Sequence, residues 1–146
     1  MKHKVYKNYT TALPSWQTIL EDLDLNIRDG SVVRQLDNLG FITHRGERIP
    51  SVDTLRQSIH AMHPENSMCT AHIYISLLSS SKTLGRHKDD TDVFFIQALG
   101  QTKWIIEEDG KHEYILNPSD MIFIPKEHWH TPISLSPRVG ISIGFN

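Results

Sequence analysis

Hydrophobic and polar residues follow two different periods along this chain, and the change of period falls near residue 70. Before that point apolar side chains recur at helical spacing, and after it they alternate with a period of two. The first part therefore predicts helices and the second predicts β-strands. We expect a single domain over residues 1–146, with a helical part at 1–69 and a β-core at 70–146.

The first predicted helix begins after Pro14. Ser15 is a suitable N-cap, and Asp29-Gly30 is expected to end the helix. The apolar stripe has the spacing i, i+3, i+4, i+7 and consists of Trp16, Ile19, Leu20 and Leu23.

A short hairpin and a second helix follow. Residues 41–44 and 47–49 predict two strands joined around Arg45-Gly46. Ser51 is the expected N-cap of the second helix, and Pro64 is expected to end it. Its apolar face would carry Leu55, Ile59 and Met62.

From residue 70 onward some eight short strands are separated by tight turns, with no helix between them. Asp109-Gly110 is typical of a hairpin turn, and Pro118-Ser119-Asp120 of another turn. This pattern predicts a mainly β, antiparallel sandwich or barrel, with the jelly roll as its eight-stranded form. The strands are predicted at 70–78, around His87, and at 93–98, 102–107, 112–116, 120–124, 129–134 and 138–145.

The first of these strands indicates which way the barrel faces. His72, Tyr74 and Ser76 share one side, and the other side is aliphatic. In a barrel with a polar pocket, the polar side would line the pocket and the aliphatic side would pack beneath external helices. The two predicted helices favour this arrangement over an ordinary sandwich with an aliphatic interior.

Composition restricts the class of protein only broadly. With 38% apolar and 22% charged residues the chain is expected to be globular, and a net charge of −2 gives no basic field for nucleic acid or anionic membranes. The single cysteine, Cys69, excludes an internal disulfide and a cysteine-rich zinc site. No apolar run is long enough to span a bilayer. We expect a cytoplasmic protein.

Two segments carry candidate metal ligands. His87 and Asp89 are two residues apart and project from the same side of a strand, and a second cluster supplies His128 and His130. Two histidines and one carboxylate with open positions form the usual non-haem Fe(II) site. His128 and His130 compete for the third position, and we prefer His130 because it lies further into the following strand.

Other titratable residues are less favoured as ligands. Asp90 has the wrong parity to join His87 and Asp89, and Asp92 is either a hydrogen-bonding partner near the site or a solvated turn carboxylate. The remaining histidines of interest are expected to be surface or core residues: His44, His60, His63 and His112.

The segment from His87 to Trp104 resembles the core of JmjC-type cupin oxygenases, especially bacterial ribosomal-protein hydroxylases. The matching positions are His87-x-Asp89-x-x-Asp92-Val93-Phe94-x-x-Gln97-x-x-Gly100-x-x-x-Trp104. The run 117–125 followed by His130 is similar to that family's L-x-P-G-D-x-L-Y-I-P…H segment, with Ser119 in place of the glycine. The end, 141–145, is similar to its last strand. The resemblance covers roughly residues 70–146.

This resemblance implies a double-stranded β-helix that uses Fe(II), 2-oxoglutarate and O2. Iron would be held by His87, Asp89 and His130, which are also the implied catalytic residues. The cosubstrate would chelate the metal and be oxidised to succinate while a C–H bond of the substrate is hydroxylated. The metal would carry the chemistry, and the protein would supply geometry and a dry pocket.

This chain departs from the family pattern at the position expected to bind the far carboxylate of 2-oxoglutarate, which is the carboxylate at the end away from the metal. Where relatives often have a basic residue, this chain has Thr102, and the neighbouring Lys103 has the opposite strand parity. An arginine is the best partner for a carboxylate. Related oxygenases often have an arginine near the position of Arg138, eight residues past His130, so the resemblance makes Arg138 the first candidate, with Lys103 and Tyr74 next.

The substrate is less constrained, because relatives that act on proteins carry additional domains. A peptide side chain, a free amino acid and another small metabolite all remain open, and so does a homodimer. Two other functions also remain open: a metal-binding cupin with an activity independent of 2-oxoglutarate, and a ligand-binding or sensing barrel. One fold hosts many functions.

Overall fold

The computed structural model describes residues 1–63 and 69–145. The helices are α1 (Trp16–Arg28) and α2 (Pro50–Met62), with a short 3₁₀ helix at Gly46–Arg48. The strands are β1 (Lys4–Tyr6), β2 (Val33–Leu36), β3 (Gly40–Thr43), β4 (Cys69–Ser76), β5 (Val93–Leu99), β6 (Thr102–Glu107), β7 (Lys111–Leu116), β8 (Met121–Ile124), β9 (His130–Ser134) and β10 (Arg138–Phe145). Within the described ranges, neither helix is long and apolar enough to cross a membrane.

The strands form two antiparallel sheets that pack face to face. The larger has the order β1-β8-β5-β10-β4-β3-β2, and the smaller has the order β7-β6-β9. A buried cluster fills the space between them, with members from β5 and β8 of one sheet and β6 and β7 of the other. The prediction of a mainly β jelly roll is confirmed. The cluster consists of Phe95, Trp104, Ile106, Leu116, Ile122 and Ile124.

The helices cover the outer face of the larger sheet, as the alternation in β4 predicted. Ile73 and Ile75 are buried in one cluster with Ile19 of α1 and with Val52 and Ile59 of α2. Tyr74, between the two isoleucines, packs against the other cluster, inside the barrel. The polar side of β4 therefore faces the interior cavity, since successive side chains of a strand point to opposite faces.

The predicted hairpin at 41–44 and 47–49 is wrong. β3 pairs with β2 on its N-terminal side, and Gly46–Arg48 is helical. Gly46 has a packing role instead, because a Cβ there would lie 2.9 Å from the backbone oxygen of Ala71. The turn before β3 uses Asn38 and Leu39 at φ 59°, a left-handed conformation that is unusual for leucine and that the sequence did not signal.

The ends of α1 agree with the prediction. The Ser15 side chain accepts a hydrogen bond from the Thr18 N–H at 3.2 Å, and Asp29 is the C-cap. The apolar stripe is shifted, because Leu20 is 41% exposed and Asn26 is fully buried.

The ends of α2 differ from the prediction. Ile49 is the N-cap and Pro50 occupies the first turn, where its missing N–H has no consequence, so Ser51 is not the cap. Leu55 and Ile59 are buried, but Met62 is 50% exposed. The predicted helix stop at Pro64 lies outside the described residues.

Three strands extend the larger sheet; the sequence predicted β3, at residues 41–44, but not β1 or β2. β1 pairs with β8 at one edge, while β2 and β3 continue it beyond β4 at the other. All three come from the first 63 residues, which therefore contribute strands as well as helices.

Gly140 of β10 should be intolerant of a side chain. A Cβ there would overlap the ring of Phe95, whereas at Gly144 the nearest atom is 3.9 Å away. We expect Gly140→Ala to lower the free energy of unfolding by about 1–3 kcal/mol, because the ring would have to leave its place in the packed interior. Gly144→Ala, on the same strand, should leave stability nearly unchanged. Urea denaturation of both variants measures this, and equal effects would contradict the packing described.

Candidate metal centre

Three side chains bring ligand atoms together at one end of the barrel. The Nε2 atoms of His87 and His130 are 3.1 Å apart, and Oδ2 of Asp89 lies 3.3 Å from His130 Nε2 and 3.9 Å from His87 Nε2. Adjacent ligands of a first-row metal with bonds of about 2.0–2.2 Å are roughly 3 Å apart. Two imidazoles and one carboxylate at these separations fit a divalent metal such as iron, with further positions open.

The backbone holds the two histidines together. His87 and His130 form an isolated antiparallel bridge in which each N–H donates to the other carbonyl, at 2.9 and 2.8 Å. Their side chains consequently point the same way into the barrel mouth. Asp89 follows in the loop beyond this bridge, and its carboxylate reaches the same point.

Hydrogen bonds also orient both imidazole rings. Nδ1 of His87 lies 2.8 Å from the Gly85 carbonyl oxygen, and Nδ1 of His130 lies 2.8 Å from that of His128. A carbonyl only accepts, so both Nδ1 atoms carry the hydrogen. In the neutral rings Nε2 is then free to bind a metal, which is the usual arrangement for a histidine ligand.

The three candidate ligands differ in exposure. The His130 side chain is 4% exposed, and those of His87 and Asp89 are 26% and 37% exposed. The adjacent imidazole of His130 is the main cause that lowers the pKa of the Asp89 carboxyl, although burial acts against it. Asp89 is therefore ionised at neutral pH, as a metal ligand must be.

His128 lies outside the triad. Its Nδ1 donates to the Lys126 carbonyl at 3.0 Å, and its Nε2 lies 3.6 Å from Glu108. Asp90 is exposed, and Asp92 accepts a backbone hydrogen bond from Lys126.

The other histidines are also remote from the triad. His44 is exposed, and its ring centroid lies 4.5 Å from that of His72 in a tilted arrangement. The ring of His63 lies against Phe94 and Phe145. His60 lies near Phe145, and His112 donates to the Glu108 carbonyl.

Arg138 lines the same cavity as the triad. Its side chain is 2% exposed, and in the described part of the chain no carboxylate pairs with it. Nε donates to the hydroxyls of Ser76 and Ser134 at 3.1 and 3.0 Å, and Nη1 donates to Thr102 Oγ1 at 3.2 Å. Burial lowers the pKa of Arg138 to about 10, which leaves it protonated at neutral pH.

The other candidates for binding the far carboxylate of 2-oxoglutarate lie in different surroundings. Lys103 points to the outer face of the smaller sheet and pairs with Glu113 at 3.2 Å, so the structure does not bring it into the cavity. Tyr74 lines the cavity, and burial raises the pKa of its hydroxyl. Thr102 is fully buried and accepts its hydrogen bond from Arg138.

Ser134, which accepts a hydrogen bond from Arg138, was not predicted from the sequence. It lies four residues after His130 on β9 and therefore on the same face, so the spacing contained the signal. Its partner Ser76, which also holds the guanidinium, was expected on the inner face of β4.

The comparisons agree with this description. The family model of the JmjC domain matches residues 47–114, a stretch that includes His87 and Asp89 but ends before His130. The predicted resemblance is confirmed, since the JmjC model matches just under half of the chain and the fold is similar to that of solved structures of a ribosomal oxygenase. No curated protein sequence matches the chain at a significant level.

Solved structures of similar fold include a ribosomal oxygenase from Escherichia coli, YcfD, with a TM-score of 0.78 and 17% identity. The same protein in complex with cobalt and 2-oxoglutarate has a TM-score of 0.78 and 17% identity, and its complex with cobalt and succinic acid has values of 0.76 and 18%. Each alignment covers 99% of this chain and 48% of the other. The chain thus spans about half the length of these structures.

Replacement of either partly buried candidate ligand, His87 or Asp89, should greatly weaken metal binding. We expect His87→Ala and Asp89→Ala to weaken cobalt(II) binding at least about 100-fold, more than the loss of a residue outside the first shell of ligands costs. Circular dichroism should show a retained fold. Titration calorimetry measures the affinity, with His128→Ala as the matched control, which should bind like the unaltered protein. If His128→Ala weakened cobalt(II) binding, the result would indicate that His128, and not His130, is the third ligand.

Proposed function

We propose that this protein is an Fe(II)- and 2-oxoglutarate-dependent dioxygenase that hydroxylates a C–H bond of a peptide side chain or a small metabolite. The observation that carries the proposal is Arg138, a buried cation that shares a cavity with the His87, Asp89 and His130 triad. A metal triad alone fits many reactions. A triad with an anion site inside the same cavity fits a cosubstrate that binds metal at one end and carries a carboxylate at the other.

The surroundings of Arg138 support an anion site. A guanidinium in an apolar interior is costly unless it is paired with an opposite charge. Here three neutral hydroxyls accept from Nε and Nη1, and they leave part of the five-donor guanidinium for another partner. The far carboxylate of 2-oxoglutarate would supply both the missing charge and the acceptor oxygens.

Thr102 fits the same interpretation. It occupies the position where related enzymes often have a basic residue, and Nη1 of Arg138 reaches it from β10. The guanidinium of Arg138 would therefore bind an anion in the same part of the cavity, although it comes from β10 and not from β6. The alternative of an activity independent of 2-oxoglutarate would be favoured by a cavity without a cation, and Arg138 argues against it. A ligand-binding or sensing role is likewise less favoured.

The three ligands would hold iron through His87 Nε2, His130 Nε2 and the Asp89 carboxylate. Iron bound there would couple the conversion of 2-oxoglutarate and O2 to succinate and CO2 with the insertion of one oxygen atom into the substrate C–H bond. The hydrogen bonds to Gly85 and His128 would keep both rings in the metal-binding tautomer.

Apolar side chains would keep water away from the reacting groups. The cavity that contains the triad is walled by Phe95, Trp104, Val93 and Ile124. Exclusion of water strengthens the attraction between Arg138 and a carboxylate, and it limits side reactions of a strong oxidant.

The solved structures of similar fold support the choice of cosubstrate. YcfD has been solved with cobalt and 2-oxoglutarate, and cobalt is a common substitute for iron. Its description as a ribosomal oxygenase makes a protein substrate one candidate for this chain. A free amino acid or another metabolite stays equally open, as does a homodimer. The buried free thiol of Cys69 accords with a reducing cytoplasm.

Anaerobic titration with 2-oxoglutarate tests the proposal directly. We expect the Fe(II)-loaded protein to develop a saturable visible charge-transfer band, because a 2-oxo acid chelates the metal at its open positions. The band should be missing in His87→Ala. Absence of the band in the unaltered protein with iron bound would refute the role of 2-oxoglutarate and favour a different metal-dependent activity.

The role of Arg138 can be isolated with two 2-oxo acids. We expect Arg138→Met to weaken 2-oxoglutarate binding roughly 10- to 100-fold, the effect of losing hydrogen bonds to a charged group. Pyruvate, which lacks the far carboxylate, should bind both proteins equally. Lys103→Met removes a cation on the outer face and should change neither affinity. Titration of the same absorption band gives all six values, and an equal loss for pyruvate would mean that Arg138 does not bind the far carboxylate.

A further inference from the structure

Asp92 lies three residues after the candidate ligand Asp89 and connects two segments that carry the metal ligands. Its Oδ1 atom accepts a hydrogen bond from the Lys126 backbone N–H at 2.9 Å. Lys126 lies in the turn between β8 and β9, four residues before His130. The side chain therefore joins the loop of the first two ligands to the turn that leads to the third.

A second hydrogen bond runs parallel to the first. The Glu127 backbone N–H donates to the carbonyl oxygen of Asp89 at 2.7 Å. Two successive amides of the turn are thus held by the loop at residues 89–92. The carbonyl of Asp92 also accepts from the Phe145 N–H at 3.3 Å, which connects the loop to the end of β10.

The turn needs such support because its backbone is strained. Glu127 has φ 63°, in the left-handed region, which costs a residue with a Cβ roughly 1–2 kcal/mol. The ion pair between Lys88 and Glu127, at 3.0 Å, is exposed at both ends and contributes little to holding it. The hydrogen bond to Asp92 differs from this ion pair because it holds the backbone of the turn directly.

We propose that Asp92 is a positioning residue for the metal centre. It fixes the 125–127 turn against the loop of Asp89, and so keeps His130 and Asp89 at the separation that a metal requires. The inference rests on the metal-binding part of the proposed function and is independent of the cosubstrate and the reaction.

Cobalt(II) binding to the metal-free full chain tests this inference. We expect Asp92→Ala to weaken cobalt(II) binding about 10- to 100-fold, the usual effect of removing a group that orients metal ligands. Asp92→Asn should bind nearly as well as the unaltered protein, because the amide oxygen can still accept from Lys126. Asp90→Ala is the matched control. It removes the same charge from an exposed side chain in the same loop, and its affinity should be unchanged.

Two further measurements separate positioning from general stability. A residue with only a structural role would lower the melting temperature of the metal-free protein but leave cobalt(II) affinity intact well below that temperature. The visible spectrum of the cobalt(II) complex should also change in Asp92→Ala and return in Asp92→Asn. If Asp92→Ala does not fold, Asp92→Ser replaces it, since its hydroxyl is too short to reach Lys126.

The outcomes distinguish this inference from the proposed function. Unchanged affinity in Asp92→Ala, an equal loss in Asp90→Ala, or failure of Asp92→Asn to restore binding would each overturn the positioning role. Failure of the unaltered protein to bind cobalt(II) would instead refute the metal site itself.

Discussion

The pair of backbone hydrogen bonds between His87 and His130 is the contact on which the candidate site depends. It joins two residues that are 43 positions apart, and it sets both imidazoles at the mouth of the barrel. Without this bridge, neither the spacing of His87 and Asp89 nor the placement of His130 on β9 would produce a three-ligand cluster. The loop before β5 is also tied to the smaller sheet by Arg86, which pairs with Glu107, and by Thr83, which donates to the Pro132 carbonyl.

The second constraint is electrostatic. Arg138 is a charged group in the wall of a largely apolar cavity, and its neighbours Ser76, Ser134 and Thr102 are neutral. Such an arrangement costs folding free energy, since three hydroxyls replace the hydration of the guanidinium only in part. Stability alone would favour an apolar residue at this position. The cost is understandable if the site exists to bind an anion, which connects the fold to the proposed activity.

The sequence predicted features that depend on neighbouring residues more accurately than features that depend on contacts between distant segments. Alternation in β4 correctly indicated that Tyr74 faces the cavity and Ile73 the helices, because strand parity is a local property. The error at residues 41–49 arose because Gly46 was interpreted as a turn residue, whereas its lack of a Cβ serves close packing against Ala71. β1 was missed because three residues carry little periodic signal, and its pairing with β8 is a long-range contact.

The sequence by itself determined the parity of each strand, the His-x-Asp motif, the family resemblance and the choice of Arg138 as the first candidate anchor. These properties depend on residue types and on spacings of a few positions. Only the tertiary structure placed His130, and not His128, beside His87 and Asp89. It also turned Lys103 outward to Glu113 and brought Asp92 to the backbone of Lys126. Those outcomes depend on strand pairing between distant segments, and a backbone that folds back on itself brings together residues whose proximity no local pattern encodes.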